Sequence, residues 1–125
     1  MTERRQFFPG RAPVDAYGNG GFRFADMSHR GSLLLLPSGI YGWGVTAPVE
    51  LTLDALSAVL AERDQLEFLL LGTGLTQVFP PHEIRRAFDE AGLGLEVMST
   101  GAAARTYNVL LAEKRAVAAA LMAVA

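Results

Sequence analysis

Apolar positions in this chain follow a period of two in its first third and a period nearer 3.6 afterwards. Val14 to Tyr17 and the alternation Phe22-Arg23-Phe24 flank Gly18-Asn19-Gly20-Gly21. Glycine and asparagine accept the positive φ of a tight turn, so a β-hairpin is predicted over residues 14–25. Met27 to Gly31 reads as a loop, and Ser32 to Leu36 as a buried strand closed by Pro37-Ser38-Gly39. Residues 40–45, IYGWGV, form an aromatic strand interrupted by glycine, which marks a bulge or a close backbone approach. The first 47 residues are therefore expected to be mostly antiparallel β. Residues 1–12 are an extended lead-in, with Phe7 and Phe8 docking on a single domain over 13–125.

The period lengthens after Pro48. Thr52 is a suitable N-cap, and Leu53, Leu56 and Leu60 recur at helical spacing, predicting a helix over 53–63. A strand over 67–71 contains the apolar run Phe68 to Leu71, of the kind found inside a covered sheet. Pro81 suits the first position of a helix over 82–91, and Gly92 suits its C-terminal cap. A strand over 95–98 follows, so strand, helix and strand form a βαβ unit with parallel strands. Residues 99–101 turn into a helix over 101–113. Val117, Leu121 and Val124 continue an apolar stripe that predicts a second helical piece after a change near Lys114.

Composition narrows the chemistry. The chain has 125 residues, enough for one domain with a real core, and half of them are hydrophobic. A net charge of −2 argues against nucleic acid as a partner. Without cysteine there is no disulfide, thiolate metal site or cysteine nucleophile. The two histidines, His29 and His82, are far apart in sequence, and no metal or cofactor is expected. No apolar run approaches the ~20 residues of a membrane span. The expected setting is cytoplasmic, without insertion into a bilayer.

Candidate chemistry is sparse, and no catalytic set is assigned. Gly72-Thr73-Gly74 lacks the third glycine of a dinucleotide fingerprint and the lysine of a P-loop. It exits a strand as a tight turn, or it lines a ligand crevice with the 99–101 turn, since both follow the carboxyl ends of parallel strands. Arg105 lies near a helix N-terminus, where a cation is disfavoured by about 0.3–1 kcal/mol. It is either ion-paired within the chain or held for an anion, with Asn108 on the same face. The candidate anion set is Thr73, Gly74, Gly101, Arg105 and Asn108. His29 is ordinary surface or a general base, and Ser32 and Ser99 have no triad partners readable from spacing. Tyr41 and Trp43 are either core or an exposed partner surface. The charges at Glu83, Arg85, Arg86, Asp89 and Glu90 read as the solvated face of a helix.

The segments GSLLLLPSGIYGWGV at 31–45, GTG at 72–74 with two prolines shortly after, and VMSTGAAARTYNVLLAEKRAVAAAL at 97–121 resemble an uncharacterised Mth-type domain family. That family includes mitochondrial NADH dehydrogenase (complex I) assembly factor 3. Met98, Thr100, Ala103, Thr106-Tyr107-Asn108, Leu110, Glu113 and Arg115 carry the most specific part of the likeness. The chain departs from many relatives at Ser99, where they carry an acidic residue, and at Lys114, where they carry glycine. The resemblance implies an α/β fold: a three-layer domain with a mixed central sheet, a hammerhead-like β-rich N-terminal half and C-terminal helices. It implies no established enzymatic activity and points to a binding or assembly factor with an unidentified protein partner. The competing reading is a small-anion ligand or substrate in the crevice. A homodimer through the β-rich edge or the aromatics is a third.

Overall fold

The computed structural model describes residues 6–125. In chain order its strands are β1 (Gln6–Phe8), β2 (Ala16–Gly18), β3 (Gly21–Phe24), β4 (Met27–Arg30), β5 (Ser32–Leu36), β6 (Gly39–Trp43), β7 (Phe68–Gly72), β8 (Gly94–Met98) and β9 (Val117–Leu121). The helices are α1 (Ser57–Ala61), α2 (His82–Glu90) and α3 (Thr100–Ala112). Six strands form a mixed sheet in the order β1-β6-β5-β9-β7-β8, and β2-β3-β4 form a separate antiparallel sheet. β7 is parallel to both β8 and β9, whereas β5 is antiparallel to β6 and β9.

Both faces of the large sheet are covered, which explains its leucine runs. Successive side chains point to opposite faces. Leu34, Leu36, Leu69 and Leu71 pack with Val59 of α1 and with Ile84 and Phe88 of α2. Leu33, Leu35 and Leu70 pack with Phe22 and Phe24 of β3 and with Ala103 and Tyr107 of α3. The result is three layers around a mixed sheet, with the N-terminal half mostly β. Phe7 and Phe8 pack against the second of these clusters, and β1 joins the sheet edge beside β6.

The last apolar segment differs from its sequence reading. Residues 117–121 are not helical but form β9, buried on both faces between β5 and β7. The preference of alanine against a strand is worth at most about 1 kcal/mol per residue. Burying one leucine contributes about 1.5–3 kcal/mol. A strand here joins the leucines of β5 and β7 into one continuous sheet, so tertiary pairing prevails over local propensity. Ala118, Ala119 and Ala120 are small because leucines crowd both faces beside them. At the entry to β9, the Glu67 carboxylate accepts from Arg115 Nε at 3.2 Å and from the Ala116 amide at 3.3 Å. The adjacent guanidinium lowers the Glu67 pKa from the ordinary carboxylate value.

Two further expectations change. Met27 to Arg30 is strand β4 rather than loop, because Ala25 and Asp26 both take positive φ (48° and 62°) and close a two-residue hairpin without glycine. The helix over 53–63 is broken into a 3-10 turn at Asp54–Leu56, α1, and a second 3-10 turn at Arg63–Gln65. Leu56, at φ −109° and ψ 11°, leaves the helical region between the first two. Thr52 Oγ1 still accepts from the Ala55 amide at 3.2 Å. Pro81 sits one residue before α2 rather than inside it. The Asn19-Gly20 turn, the parallel β7–β8 pair and Gly92 at φ 69° follow the sequence reading.

Helices α2 and α3 end alike. After α2, Gly92 N–H donates to Asp89 O and Leu93 N–H to Phe88 O. After α3, Lys114 N–H donates to Leu111 O and Arg115 N–H to Leu110 O, each at 2.9 Å. Both are Schellman caps, which need a left-handed residue. At the end of α3 that residue is Lys114, at φ 61°. Replacing Lys114 by glycine removes the β-carbon strain at this position, so Lys114→Gly is expected to stabilise the fold by about 0.5–1 kcal/mol. Thermal or urea unfolding measures this; a loss of stability would mean the lysine side chain contributes more than its strain costs.

Candidate functional site

Register places Gly72 beside Met98, so the turns that follow β7 and β8 leave the sheet side by side. They are stitched together. Thr73 N–H donates to Met98 O at 3.0 Å, and Thr100 N–H to Gly74 O at 2.8 Å. Gly74 N–H donates to Thr100 Oγ1 at 2.9 Å, and that hydroxyl donates to Met122 O at 2.7 Å. Gly72 permits this approach, since a β-carbon there would stand 2.9 Å from Thr100 Cα. Thr73 is buried, and its hydroxyl donates to Thr76 O at 2.7 Å while accepting from Val78 N–H at 2.9 Å. Thus the Gly74 amide and the Thr73 hydroxyl, two members of the candidate anion set, are engaged within the protein. At the helix start, Ser99 Oγ accepts from the Ala102 amide.

The other three members meet residues 14–17. Arg105 Nη1 donates to Tyr17 OH at 3.2 Å, and no carboxylate among the described residues lies within 4 Å of it. Tyr17 crosses the first turn of α3 so closely that a β-carbon on Gly101 would overlap its hydroxyl. Asn108 pairs with the Val14 backbone as a strand would: its Nδ2 donates to Val14 O, and its Oδ1 accepts from Val14 N–H, both at 2.8 Å. Arg105 and Asn108 therefore clip residues 14–17 onto α3, and they flank a hollow of about 310 Å³. Tyr107, one position earlier, is fully buried, and its hydroxyl has no hydrogen-bond partner among the described residues. Burial pushes its pKa up to about 12, with the Arg11 charge opposing.

The remaining candidates are packed. Trp43 is 8% exposed, and its Nε1 donates to Ala55 O at 2.9 Å. Tyr41 is half-buried, its hydroxyl 2.6 Å from Ser38 Oγ and 3.2 Å from Gln6 Nε2. The two do not form an exposed aromatic pair. His29 lies against the Phe7 ring at 4.6 Å, with Nε2 3.2 Å from Ser32 O. Ser32 Oγ accepts from Ala123 N–H, so it serves packing between strands.

Three exposed apolar side chains fall together in sequence on the loop between β7 and α2, while Val49, Leu53, Val109 and Tyr17 are exposed on other segments. Leu75 is 80% exposed, Phe79 70% and Val78 39%. The loop is anchored from beneath by the Thr73 hydroxyl and by Gln77 Nε2, which donates to Val97 O at 2.7 Å. The sequence signal for this surface was present: three apolar residues in a segment closed by Pro80-Pro81, with no helical or strand period to bury them. Among the described residues no helix is long and apolar enough to cross a membrane.

Two substitutions test the clip and the buried phenol. Asn108→Ala removes both bonds to Val14 and is expected to cost about 1–3 kcal/mol. Amide exchange should then rise first over 14–17. Tyr107→Phe removes an unsatisfied buried hydroxyl without changing ring packing, so stability is expected to stay level or rise by up to about 1 kcal/mol. Denaturant melts of the two variants decide both points, and a clear loss in Tyr107→Phe would reveal a partner for the hydroxyl.

Similarity to known proteins covers the whole of this architecture. An uncharacterised protein of Rhodobacter capsulatus is 38% identical over 98% of this chain and 93% of its own. NADH dehydrogenase [ubiquinone] 1 alpha subcomplex assembly factor 3 of Danio rerio is 32% identical over 87% of this chain. This chain spans 63% of that factor's length. Among solved structures, one described as an outer membrane protein from Bartonella henselae is 61% identical, with a TM-score of 0.90 over 94% of this chain and 99% of that one. A Mth938-like domain from Bordetella pertussis is 31% identical, with a TM-score of 0.78 over 98% and 92%. The model of the family described as "Protein of unknown function (DUF498/DUF598)" matches residues 14–122, and the chain belongs to that family.

Proposed function

We propose that this protein is a binding module of the assembly-factor kind, which docks a protein partner through the loop between β7 and α2. The observation that carries this reading is the exposed trio Leu75, Val78 and Phe79 on a loop whose base is hydrogen-bonded in place. Apolar side chains held out by a fixed backbone bury surface on docking at little cost in ordering. A surface that remains exposed and apolar marks an interaction site. The likeness to complex I assembly factor 3 supports a partner among the subunits of a respiratory NADH dehydrogenase.

Leu75 and Phe79 contribute little to the fold, so Leu75→Ser with Phe79→Ser should change stability by no more than about 0.5 kcal/mol. Affinity capture from native membranes should recover NADH dehydrogenase subunits with the wild type and about tenfold less with the double variant, as expected when anchor residues are lost. Equal recovery by both proteins, or no such subunit with either, overturns the proposal.

A further inference from the structure

The outer face of the β2-β3-β4 sheet carries a cleft that the partner-docking loop does not use. Residues directly opposite one another in a sheet share a face, so Ala16, Arg23 and Ser28 form one row and Gly18, Gly21 and Arg30 the next. Phe22 and Phe24 alternate with these and point into the core. Arg23 and Arg30 are thus diagonal neighbours, about 7–8 Å apart by sheet geometry and within reach of one small anion. Both are exposed. Neither guanidinium has a hydrogen bond, or a carboxylate within 4 Å, among the described residues. Asp15 and Asp26 share a separate hollow with Arg23 and stay beyond that distance.

The cleft has a volume of about 380 Å³, and no acidic residue lines it. Its floor is low, because Gly18 has no β-carbon and Gly21 cannot carry one without striking the His29 carbonyl. Arg30 Nη1 stands 3.8 Å from the β-carbon position of Gly20, so its guanidinium leans over the hairpin tip. That tip is tied down at both ends, by Gly20 N–H to Val124 O and by Gly31 N–H to Gly20 O, each at 2.7 Å. Two unneutralised guanidiniums on a rigid floor form a local cationic spot on a chain whose net charge is −2.

We propose that this cleft binds a small phosphate monoester, with the phosphate held between Arg23 and Arg30 and the organic part resting on the glycine floor. A phosphate monoester presents three terminal oxygens, enough to accept from both guanidinium forks and the Ser28 hydroxyl. A carboxylate has two and satisfies one fork. The volume lies in the small-molecule range of about 300–1,000 Å³ and leaves room beyond the phosphate itself. This site is independent of the loop at Leu75 and Phe79, so either can fail without the other.

The test is a titration of the isotopically labelled full chain, followed by amide chemical shifts, at ionic strength held constant with sodium chloride. The probes are glycerol 3-phosphate, inorganic phosphate and acetate. Saturable shifts over residues 18–23 and 28–30 are expected with glycerol 3-phosphate, weaker ones with inorganic phosphate and none with acetate. Arg23→Gln with Arg30→Gln should weaken binding at least about tenfold, the scale of losing charge-assisted bonds to one anion. It should melt like the wild type, because neither side chain makes a hydrogen bond or ion pair among the described residues. Arg86→Gln, at an exposed position on α2, should bind as the wild type does. Shifts that fail to saturate, or that persist in the Arg23/Arg30 variant, overturn the site. Equal affinity for inorganic phosphate and the monoester overturns the assignment of an organic ligand.

Discussion

The strand β9 is the constraint on which the rest of the structure depends. Among the described strands it alone joins an antiparallel half, β1-β6-β5, to a parallel half, β7-β8. Without it the leucines of β5 and β7 would line the edges of two separate sheets, with unpaired backbone groups in the interior. Burying such groups costs more than any single side-chain contact returns. The last strand in sequence therefore completes the sheet, and long-range pairing of this kind sets a high entropic cost of closure.

The features that lead into and out of β9 serve this placement. The left-handed Lys114 turns the chain back after α3, and Glu67 holds Arg115 and Ala116 beside the start of β7. At the other end the Thr100 hydroxyl donates to Met122 O and accepts from Gly74 N–H, so one buried side chain joins β9 to the turn after β7. A threonine in the first turn of a helix is ordinary by composition. Here it satisfies backbone groups of two other segments, and the Gly74 amide, one of the candidate anion donors, is taken up in doing so.

The family likeness and the geometry agree on the fold, and the conspicuous features are surfaces. Asn108 and Arg105 fasten the N-terminal β segment to α3, and that fastening carries the β2-β3-β4 sheet over one face of the large sheet. Tyr107 packs in the core beside them, and among the described residues its hydroxyl has no partner. The two binding proposals rest on two surfaces: the apolar loop after β7 and the outer face of the small sheet that carries Arg23 and Arg30. They differ in chemistry, and each is held by hydrogen bonds at its base, which limits the entropy lost on binding.

Local chemistry was legible wherever one residue's conformational preference decides the outcome. Asn19-Gly20 announced a turn, Gly92 a helix end, Pro80-Pro81 a break, and the strand-helix-strand order around α2 a parallel pair. The apolar runs announced a covered sheet, and the three layers were what the family resemblance implied. Of the candidate site, the proximity of the two turns was legible from strand direction, but their hydrogen-bond occupancy was not. Tertiary structure alone decided that Val117 to Leu121 is a strand, that Ala25-Asp26 turns without glycine, and that Arg105 meets a phenol instead of a carboxylate. For β9 the strand partners lie 49 to 88 residues away, and for Arg105 the phenol lies 88 residues away, and these outweigh a local preference of about 1 kcal/mol or less. A preference that small is visible in sequence and is overruled once a neighbouring strand has a leucine to bury.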